Sequence, residues 1–429
     1  MIRRLLLVFV VLVTGVFAGS TSAQADTCQS GMDYLAQAQV AVESGAYTDA
    51  LASYTCALQA DPLNDQARIG RLQTALMAGD YLTAYGDAFL LNDGAYSVLA
   101  SAIEAQSTLL SADPDNVDAY QVRAFLYLFS GQPDAATADA GAIIERNPDH
   151  VLAHVIQAAA YDMMGDADNA ASAFETAVTL SPDNAQVYGL MAAAQWAAFN
   201  IEGMAANSSR AIELAPKLAH PYRLYGMTQI IMGNPEDVFT NANQAIELDP
   251  TYYAFYLLRA TSYQMQGDPQ SALNDLNRAI DLNPRSINGY GIRVGAQMAL
   301  GNMDAAAQDF AMAVELGTVE TVEGAALVAG EPVVVTMTAG RTYRLPFEAS
   351  AGQSVTITVT SVNPGEVDSL ALVVGPDETP LAFNDDVSDE NLDAAITDFT
   401  IPEDGTYMLV VSHANFGSEG DIEISLDLK

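Results

Sequence analysis

Potential metal ligands are densest in an acidic segment near the C-terminus. Asn384, Asp385, Asp386 and Asp389 lie close together, and carboxylate and amide oxygens are the ligands that Ca²⁺ takes in proteins. The segment therefore predicts a candidate Ca²⁺ site. A solvated acidic loop that binds no metal is the alternative, and we favour it because charge runs of this kind are common on protein surfaces.

Two histidines have the spacing of a zinc site but not its context. His150 and His154 are four residues apart, as in the metalloprotease motif, but Val151 stands where that motif needs a glutamate. The sequence also has no nucleophile elbow, phosphate-binding loop or dinucleotide fingerprint. We therefore predict no catalytic residues and no enzyme, and we assign both histidines to the scaffold.

The charge balance excludes one group of partners. The chain has 429 residues, with 16 Lys and Arg against 54 Asp and Glu, and a formal net charge of −38. Nucleic-acid backbones and anionic membrane surfaces select basic proteins, so neither is a predicted partner. Because 50% of the residues are hydrophobic and only 16% are charged, the chain should fold around a core.

The first 25 residues have the pattern of an export signal. Arg3 and Arg4 precede an apolar stretch over 5–18, and the small-x-small triplet at 23–25 predicts cleavage after it. An uncleaved anchor is the alternative, although the apolar run is short for a bilayer span of about 20 residues. The mature protein is expected in the periplasm, at the cell surface or outside the cell, with no transmembrane segment and with possible envelope contact.

A repeat of 34 residues organises most of the chain. Prolines recur at this interval, and tyrosine, glycine and alanine positions keep the same register; the prolines are Pro114, Pro148, Pro182, Pro216, Pro250 and Pro284. Within 253–284, one apolar-periodic stretch ends near Gly267 and a second begins at Pro269. Each unit is therefore predicted to be a helical hairpin, which must stack on its neighbours to bury its apolar faces.

These units resemble the tetratricopeptide repeat. One unit carries the pattern at Tyr256, Ala260, Tyr263, Gly267, Ala272, Leu276, Ala279 and Pro284. The resemblance implies an all-α superhelical solenoid over 26–316 with about eight repeats. It is irregular at 93–116, where 95–112 is predicted to be a single unpaired helix because Pro62 and Pro114 are half a repeat out of register. Phe199 replaces the turn glycine and predicts a local distortion.

The hairpin arrangement also concerns the two cysteines. Cys28 precedes the first predicted helix, and Cys56 lies in the second half of its partner helix. Antiparallel pairing brings these segments together, so a disulfide between them is expected after export to an oxidising compartment.

In the tetratricopeptide family the first helix of each unit faces a concave groove. The positions that the resemblance places there are apolar and rich in methionine, which suits an adaptable binding surface. They are Phe125, Leu128, Phe129, Val155, Met163, Trp196, Met227, Ile231, Leu257 and Met265. We predict that this groove binds a protein or peptide. The alternative is that part of the stripe is ordinary core between repeats.

After Gly317 the apolar period changes to two. Apolar and polar residues alternate over 355–360 and 422–428, and turn clusters separate about eight short strands, which predicts an all-β antiparallel sandwich over 319–429. The segments AGQSVTITVT, LAFNDD and IPEDGTYMLVVSHA resemble the bacterial pre-peptidase C-terminal domain. That family implies a small jelly-roll-like module appended to secreted proteins, here with an accessory role in attachment or binding.

The predicted protein is thus a multidomain, non-enzymatic, exported scaffold that binds a protein or peptide in its solenoid groove. The alternative is a cell-surface protein that binds carbohydrate or matrix through the sandwich, with the solenoid as a spacer. Glycan binding by residues 319–429 alone would favour the alternative.

Overall fold

The computed structural model describes Cys28 and residues 32–93, 96–318, 320–338, 340–363, 367–384, 393–413 and 419–429. Within these ranges all helices precede all strands, as the change of apolar period predicts. None of the described helices combines the length and apolarity that crossing a bilayer requires.

Seventeen helices are present in the described part of the chain. They are α1 (Tyr34–Glu43), α2 (Tyr47–Ala60), α3 (Asp65–Ala78), α4 (Tyr81–Asn92), α5 (Tyr96–Ala112), α6 (Val117–Phe129), α7 (Pro133–Arg146), α8 (Val151–Met163), α9 (Ala167–Leu180), α10 (Ala185–Ala197), α11 (Ile201–Leu214), α12 (Ala219–Ile231), α13 (Pro235–Leu248), α14 (Tyr253–Met265), α15 (Pro269–Leu282), α16 (Ile287–Ala299) and α17 (Met303–Gly317).

Sixteen of these helices form eight hairpins, from α1–α2 and α3–α4 to the six consecutive pairs that begin with α6–α7. The helix α5 stands between the second and third hairpins without a hairpin partner of its own. The repeat architecture and the single helix predicted over 95–112 are therefore confirmed.

Backbone conformation at the hairpin turns explains where the helices end. At the end of α14, Gly267 has a φ of +76°, the left-handed conformation that glycine adopts without strain, and Pro269 then begins α15 at a position that needs no N–H donor. Phe199 adopts the same conformation, with a φ of +57°. The turn is thus kept, with Phe199 in a strained conformation.

A recurrent ion pair connects the two helices in four of the hairpins. An arginine nine residues after the repeat proline donates two hydrogen bonds to an aspartate 16 residues further on; the pairs are Arg71–Asp87, Arg123–Asp139, Arg259–Asp275 and Arg293–Asp309. Arg71, Arg123 and Arg259 also donate to a side chain of a preceding helix, which is Thr55, Ser107 and Asn243, respectively. These forked contacts fix the direction in which one helix packs on the next.

Cys28 and Cys56 form a disulfide, with Cα atoms 5.4 Å apart. It joins the chain before α1 to α2. In the chain-entropy account, a bridge across a loop of this length stabilises the fold by about 3–4 kcal/mol.

The chain forms two compact units. The first ends at Arg285, and the second, 286–429, contains the hairpin α16–α17 together with the strands. The second unit therefore begins one repeat before the change of apolar period at Gly317.

Nine strands are described in the second unit. They are β1 (Glu320–Glu323), β2 (Val333–Met337), β3 (Arg341–Ala349), β4 (Ser354–Ser361), β5 (Ser369–Val374), β6 (Pro380–Asn384), β7 (Ala394–Thr400), β8 (Gly405–His413) and β9 (Gly420–Leu428). Five form a sheet in the order β1-β3-β8-β5-β6, and four form a second sheet in the order β2-β9-β4-β7. Neighbours are antiparallel, as predicted, except that β1 runs parallel to β3.

The five-stranded sheet is covered on both faces. In β5, Ala371 lies in the core of the sandwich, whereas Leu372 belongs to a second apolar cluster with Phe310 of α17. The rings of Phe310 and Phe383 stack with centroids 4.5 Å apart. The last helical hairpin is therefore the outer layer of this unit.

Candidate protein-binding groove

The first helices of five successive hairpins, α6, α8, α10, α12 and α14, line a groove in the first unit, and α4 lies in it. Side chains of α4 contact α6, α10, α12 and α14. A helix of 12 residues is about 18 Å long. The helices α6, α10, α12 and α14 can all contact a helix of this length only because the stack of repeats curves around α4.

Three apolar side chains anchor α4 at positions i, i+3 and i+7. Leu82 is fully buried. The ring of Tyr85 packs edge-on against Phe129 at 4.7 Å, and Phe89 stacks on Tyr253 at 5.9 Å. This spacing places all three anchors on one side of the helix.

The helix α10 approaches α4 so closely that a side chain has no room at Gly189. A Cβ atom there would lie 2.9 Å from Leu82 Cδ2. One turn earlier, Gln186 Oε1 accepts a hydrogen bond from the backbone N–H of Leu82 at 2.9 Å, and Gln186 Nε2 donates to Asp80 Oδ1 at 3.1 Å. Burial raises the pKa of the Asp80 carboxyl, against the lowering effect of hydrogen bonds from Thr83 and Gln186.

Two further polar contacts hold the hairpin α3–α4 in place. The hydroxyl of Tyr253 donates to Asp93 Oδ2 at 2.6 Å, at the end of α4. Arg285 donates to Asp65, the first residue of α3, with an Nη1–Oδ2 distance of 3.1 Å. These two contacts hold the open end of the hairpin, and the Gln186 contacts hold its turn.

One buried arginine lies beneath α4 in the groove. Arg223 of α12 is only 4% exposed, and its Nη1 has no hydrogen-bond partner within the described residues. Its guanidinium lies over the ring of Phe89, 5.3 Å from the centroid. Burial lowers the pKa of this guanidinium, because the charged form is poorly solvated there. By contrast, Arg71 has a carboxylate partner in Asp87 at 2.6 Å.

An apolar pocket remains open beside α4. Its volume, including the open mouth, is about 500 Å³, and no charged side chain lines it. The lining residues are Tyr85, Phe125, Leu128, Phe129, Val155, Ile156, Ala159, Met163, Leu190 and Ala194.

The ten residues predicted to face the groove fall into two sets. Five line the pocket: Phe125, Leu128, Phe129, Val155 and Met163. Of the other five, Trp196, Met227 and Leu257 are buried, and Ile231 and Met265 are half-buried. Leu128 and Met163 are half-buried at the pocket and so retain contact with solvent.

Sequence reasoning did not place α4 in this groove, although two signals point to it. The segment YLTAYGDAFLLN has one charged residue, and nine of its residues are buried. A helix that is apolar on all sides is usually enclosed on all sides. The second signal is the half-repeat offset between Pro62 and Pro114, which separates the hairpin α3–α4 from the regular stack.

The two histidines serve the repeat scaffold. His150 caps α8 by accepting a hydrogen bond from the N–H of Ala153, and His154 Nε2 bonds to the carbonyl oxygen of Pro148 at 2.7 Å. In three later units a tyrosine hydroxyl makes the same contact with the repeat proline, from Tyr188, Tyr222 and Tyr256.

Only one member of the predicted Ca²⁺ site is described. Asn384 ends β6, and its Oδ1 accepts a hydrogen bond from the N–H of Ala395 at 2.7 Å. Asp385, Asp386 and Asp389 lie outside the described residues. In the parts of the chain that are described, no group of three or more His, Cys, Asp or Glu side chains is placed to hold a metal ion.

Two protein-family models match the chain. The tetratricopeptide repeat model matches residues 35–93, 122–185 and 257–319, and the model of the bacterial pre-peptidase C-terminal domain matches 344–413. No curated protein matches this chain.

Solved structures of repeat proteins are similar to the chain at low identity. The structure of the APC/C hetero-tetramer Cut9–Hcn1 has 15% identity over 69% of this chain, with a TM-score of 0.45, and the match spans 55% of that chain. PilF of Pseudomonas aeruginosa has 16% identity over 47% of this chain and 91% of its own, with a TM-score of 0.39. YrrB, described as a tetratricopeptide-repeat protein with an unusual peptide-binding site, has 17% identity over 44% of this chain and 97% of its own, with a TM-score of 0.30.

Proposed function

Because this chain is a tetratricopeptide-repeat protein with a bacterial pre-peptidase C-terminal domain, we propose that it is a non-enzymatic scaffold that binds a protein or peptide through the apolar pocket of its groove. The β-sandwich is an accessory module for attachment or a second contact. The protein acts outside the cytoplasm, in the periplasm or at the cell surface.

The open pocket is the observation that carries this proposal. Ten side chains from α4, α6, α8 and α10 surround it, and they contribute almost only carbon atoms to its walls. Open apolar pockets are typical ligand sites, since water in them gains little from the walls. A leucine, methionine or aromatic side chain of a partner matches the apolar chemistry of these walls.

Two features support export. The first 25 residues have the composition of a secretory signal, and the disulfide between Cys28 and Cys56 is stable in an oxidising compartment. Fractionation of cells that express the full-length chain, followed by N-terminal sequencing, tests both the compartment and cleavage after Ala25. Full-length protein in the cytoplasm would contradict the export proposal.

Neighbouring methionines provide a matched test of the pocket. Met163 lines it, whereas Met164 caps α8 and is exposed. A peptide would first be selected from a random library on the immobilised wild-type chain, and its affinity measured by fluorescence polarisation. We expect Met163→Asp to weaken binding at least tenfold, because a carboxylate in an apolar pocket is poorly solvated, and Met164→Asp to leave it unchanged.

Circular dichroism would establish that both variants fold. Equal affinity of the folded Met163→Asp and Met164→Asp proteins would refute a role for the pocket. Failure to select any peptide on the wild-type chain would count against peptide binding.

A further inference from the structure

The helix α4 shows which chemistry the groove accepts next to the pocket. It presents Leu82, Tyr85 and Phe89 from one face to the surrounding helices. Apolar anchors at i, i+3 and i+7 are the pattern by which amphipathic helices bind in grooves. The groove is therefore shaped for a helix, and one segment of this chain already occupies it.

The fit of this resident helix is incomplete at its third anchor. Phe89 offers Arg223 only the face of its ring, and Arg223 Nη1 has no hydrogen-bond partner in the described residues. A buried guanidinium is stabilised when a carboxylate accepts its hydrogen bonds, and it is costly without one.

Asp93 favours the charged form of Arg223 electrostatically, but this carboxylate and that of Asp87 accept hydrogen bonds from other groups. Asp87 accepts hydrogen bonds from Arg71 and lies 3.4 Å from Arg68, and Asp93 accepts one from Tyr253. Both aspartates belong to α4 or its end, so the resident helix brings no further acid to Arg223.

We propose that the groove is a binding site for an amphipathic helix of a partner protein, with apolar side chains at the first two anchor positions and an acidic side chain at the third, which pairs with Arg223. The hairpin α3–α4 is the intramolecular occupant that this helix replaces. The inference rests on the proposed scaffold function, but it concerns the part of the groove under α4, which adjoins the open pocket at Tyr85.

Replacement requires that the hairpin leave its seat. Besides the apolar anchors, the contacts that must break include the hydrogen bonds at Gln186, the Tyr253–Asp93 bond and the Arg285–Asp65 pair. The observed affinity of a partner is then its intrinsic affinity reduced by the small fraction of molecules with an open groove.

Synthetic peptides of residues 78–93 provide defined probes. Three fluorescein-labelled versions carry Phe, Glu or Gln at position 89, and their affinities for the full-length chain are measured by fluorescence polarisation. We expect the Glu peptide to bind at least fivefold more tightly than the Gln peptide. In the Arg223→Met chain this difference should fall below twofold, since no cation remains to pair with the carboxylate.

A disulfide lock tests the need for displacement. Because a Cβ at Gly189 would nearly touch the Leu82 side chain, a Leu82→Cys, Gly189→Cys chain should form a bridge between α4 and α10. The oxidised lock should bind none of the peptides, whereas the unlinked Leu82→Ser, Gly189→Ser control should bind them. Circular dichroism confirms that each variant is folded.

Three results would overturn the proposal: equal affinity of wild type for the Glu and Gln peptides, undiminished binding by the oxidised lock, or no binding of any peptide to both wild type and the unlinked control. None of them depends on Met163. The comparison of Met163→Asp with Met164→Asp therefore judges the proposed function separately.

Discussion

Replacing Gly189 by alanine tests the close packing of α10 against α4. Alanine in a helix interior is normally more stable than glycine by about 1 kcal/mol. At Gly189, however, the new Cβ would lie 2.9 Å from Leu82 Cδ2 and 3.3 Å from Leu82 Cδ1. Leu82 is fully buried, so its shift disturbs packed neighbours, at about 1–3 kcal/mol. We expect Gly189→Ala to lower the free energy of unfolding by up to about 2 kcal/mol.

Gly141 in α7 is the matched control. A Cβ there would meet no atom within 4 Å, so Gly141→Ala should raise the free energy of unfolding by about 1 kcal/mol. Urea titrations followed by circular dichroism measure both variants. The fluorescence of Trp196, the single tryptophan and a residue of α10, reports locally on the helix that carries Gly189.

A second background separates the clash from other effects. In a Leu82→Ala chain the added methyl group has room, so Gly189→Ala should be as stabilising there as Gly141→Ala is in wild type. If the two alanines stabilise the wild-type chain equally, α4 does not pack on α10 in solution, and the argument for an occupied groove fails.

Three further outcomes follow from other features. Asp80→Asn should raise the melting temperature at pH 7, because burial raises the pKa of Asp80 and thereby penalises its charged form. The higher stability of the variant should shrink as the pH falls through the raised pKa of Asp80 in the folded chain, and it should vanish below the ordinary value of 3.8. A wild-type chain more stable than the variant at pH 7 would contradict this. Phe199→Gly should raise the free energy of unfolding by about 1 kcal/mol in urea titrations, because it removes a non-glycine residue in the left-handed conformation. A decrease of similar size would mean that the stacking of Phe199 on Trp196 outweighs the strain. A fragment of residues 286–429 should be monomeric by gel filtration. A fragment of residues 319–429 lacks the helices that cover Leu372, so it should aggregate and bind a hydrophobic dye. Equal behaviour of the two fragments would contradict the covering role of α16–α17.

The repeated hairpins were predictable because their signals are local. A turn glycine such as Gly267 and a helix-starting proline such as Pro269 set the ends of helices within a few residues. The strands were predictable for the same reason, because the alternation of apolar and polar residues along a strand shows which side chains face inward and which face outward.

The features that were missed depend on contacts between distant segments. The place of α4 is decided by pairs such as Leu82 with Gln186, 104 residues away, and local periodicity carries no information about them. The parallel pairing of β1 with β3 and the burial of both faces of β5 also result from the packing of whole elements. Five of the residues that the sequence assigned to the groove line the pocket, while the position of α4 in the groove was not foreseen.

An open stack of repeats behaves like a one-dimensional chain, in which a terminal unit can unfold without disturbing the others. The first unit of this protein is closed instead, since the Arg285–Asp65 pair joins residues 220 positions apart. Its second hairpin cannot detach without breaking contacts to four later ones. Such closure makes the average contact distant in sequence, which slows folding, but it also ties the end of the unit at Arg285 to the second hairpin and so opposes fraying from that end. If the hairpin α3–α4 left the groove, the unit would become an open stack of repeats that can be extended along its axis.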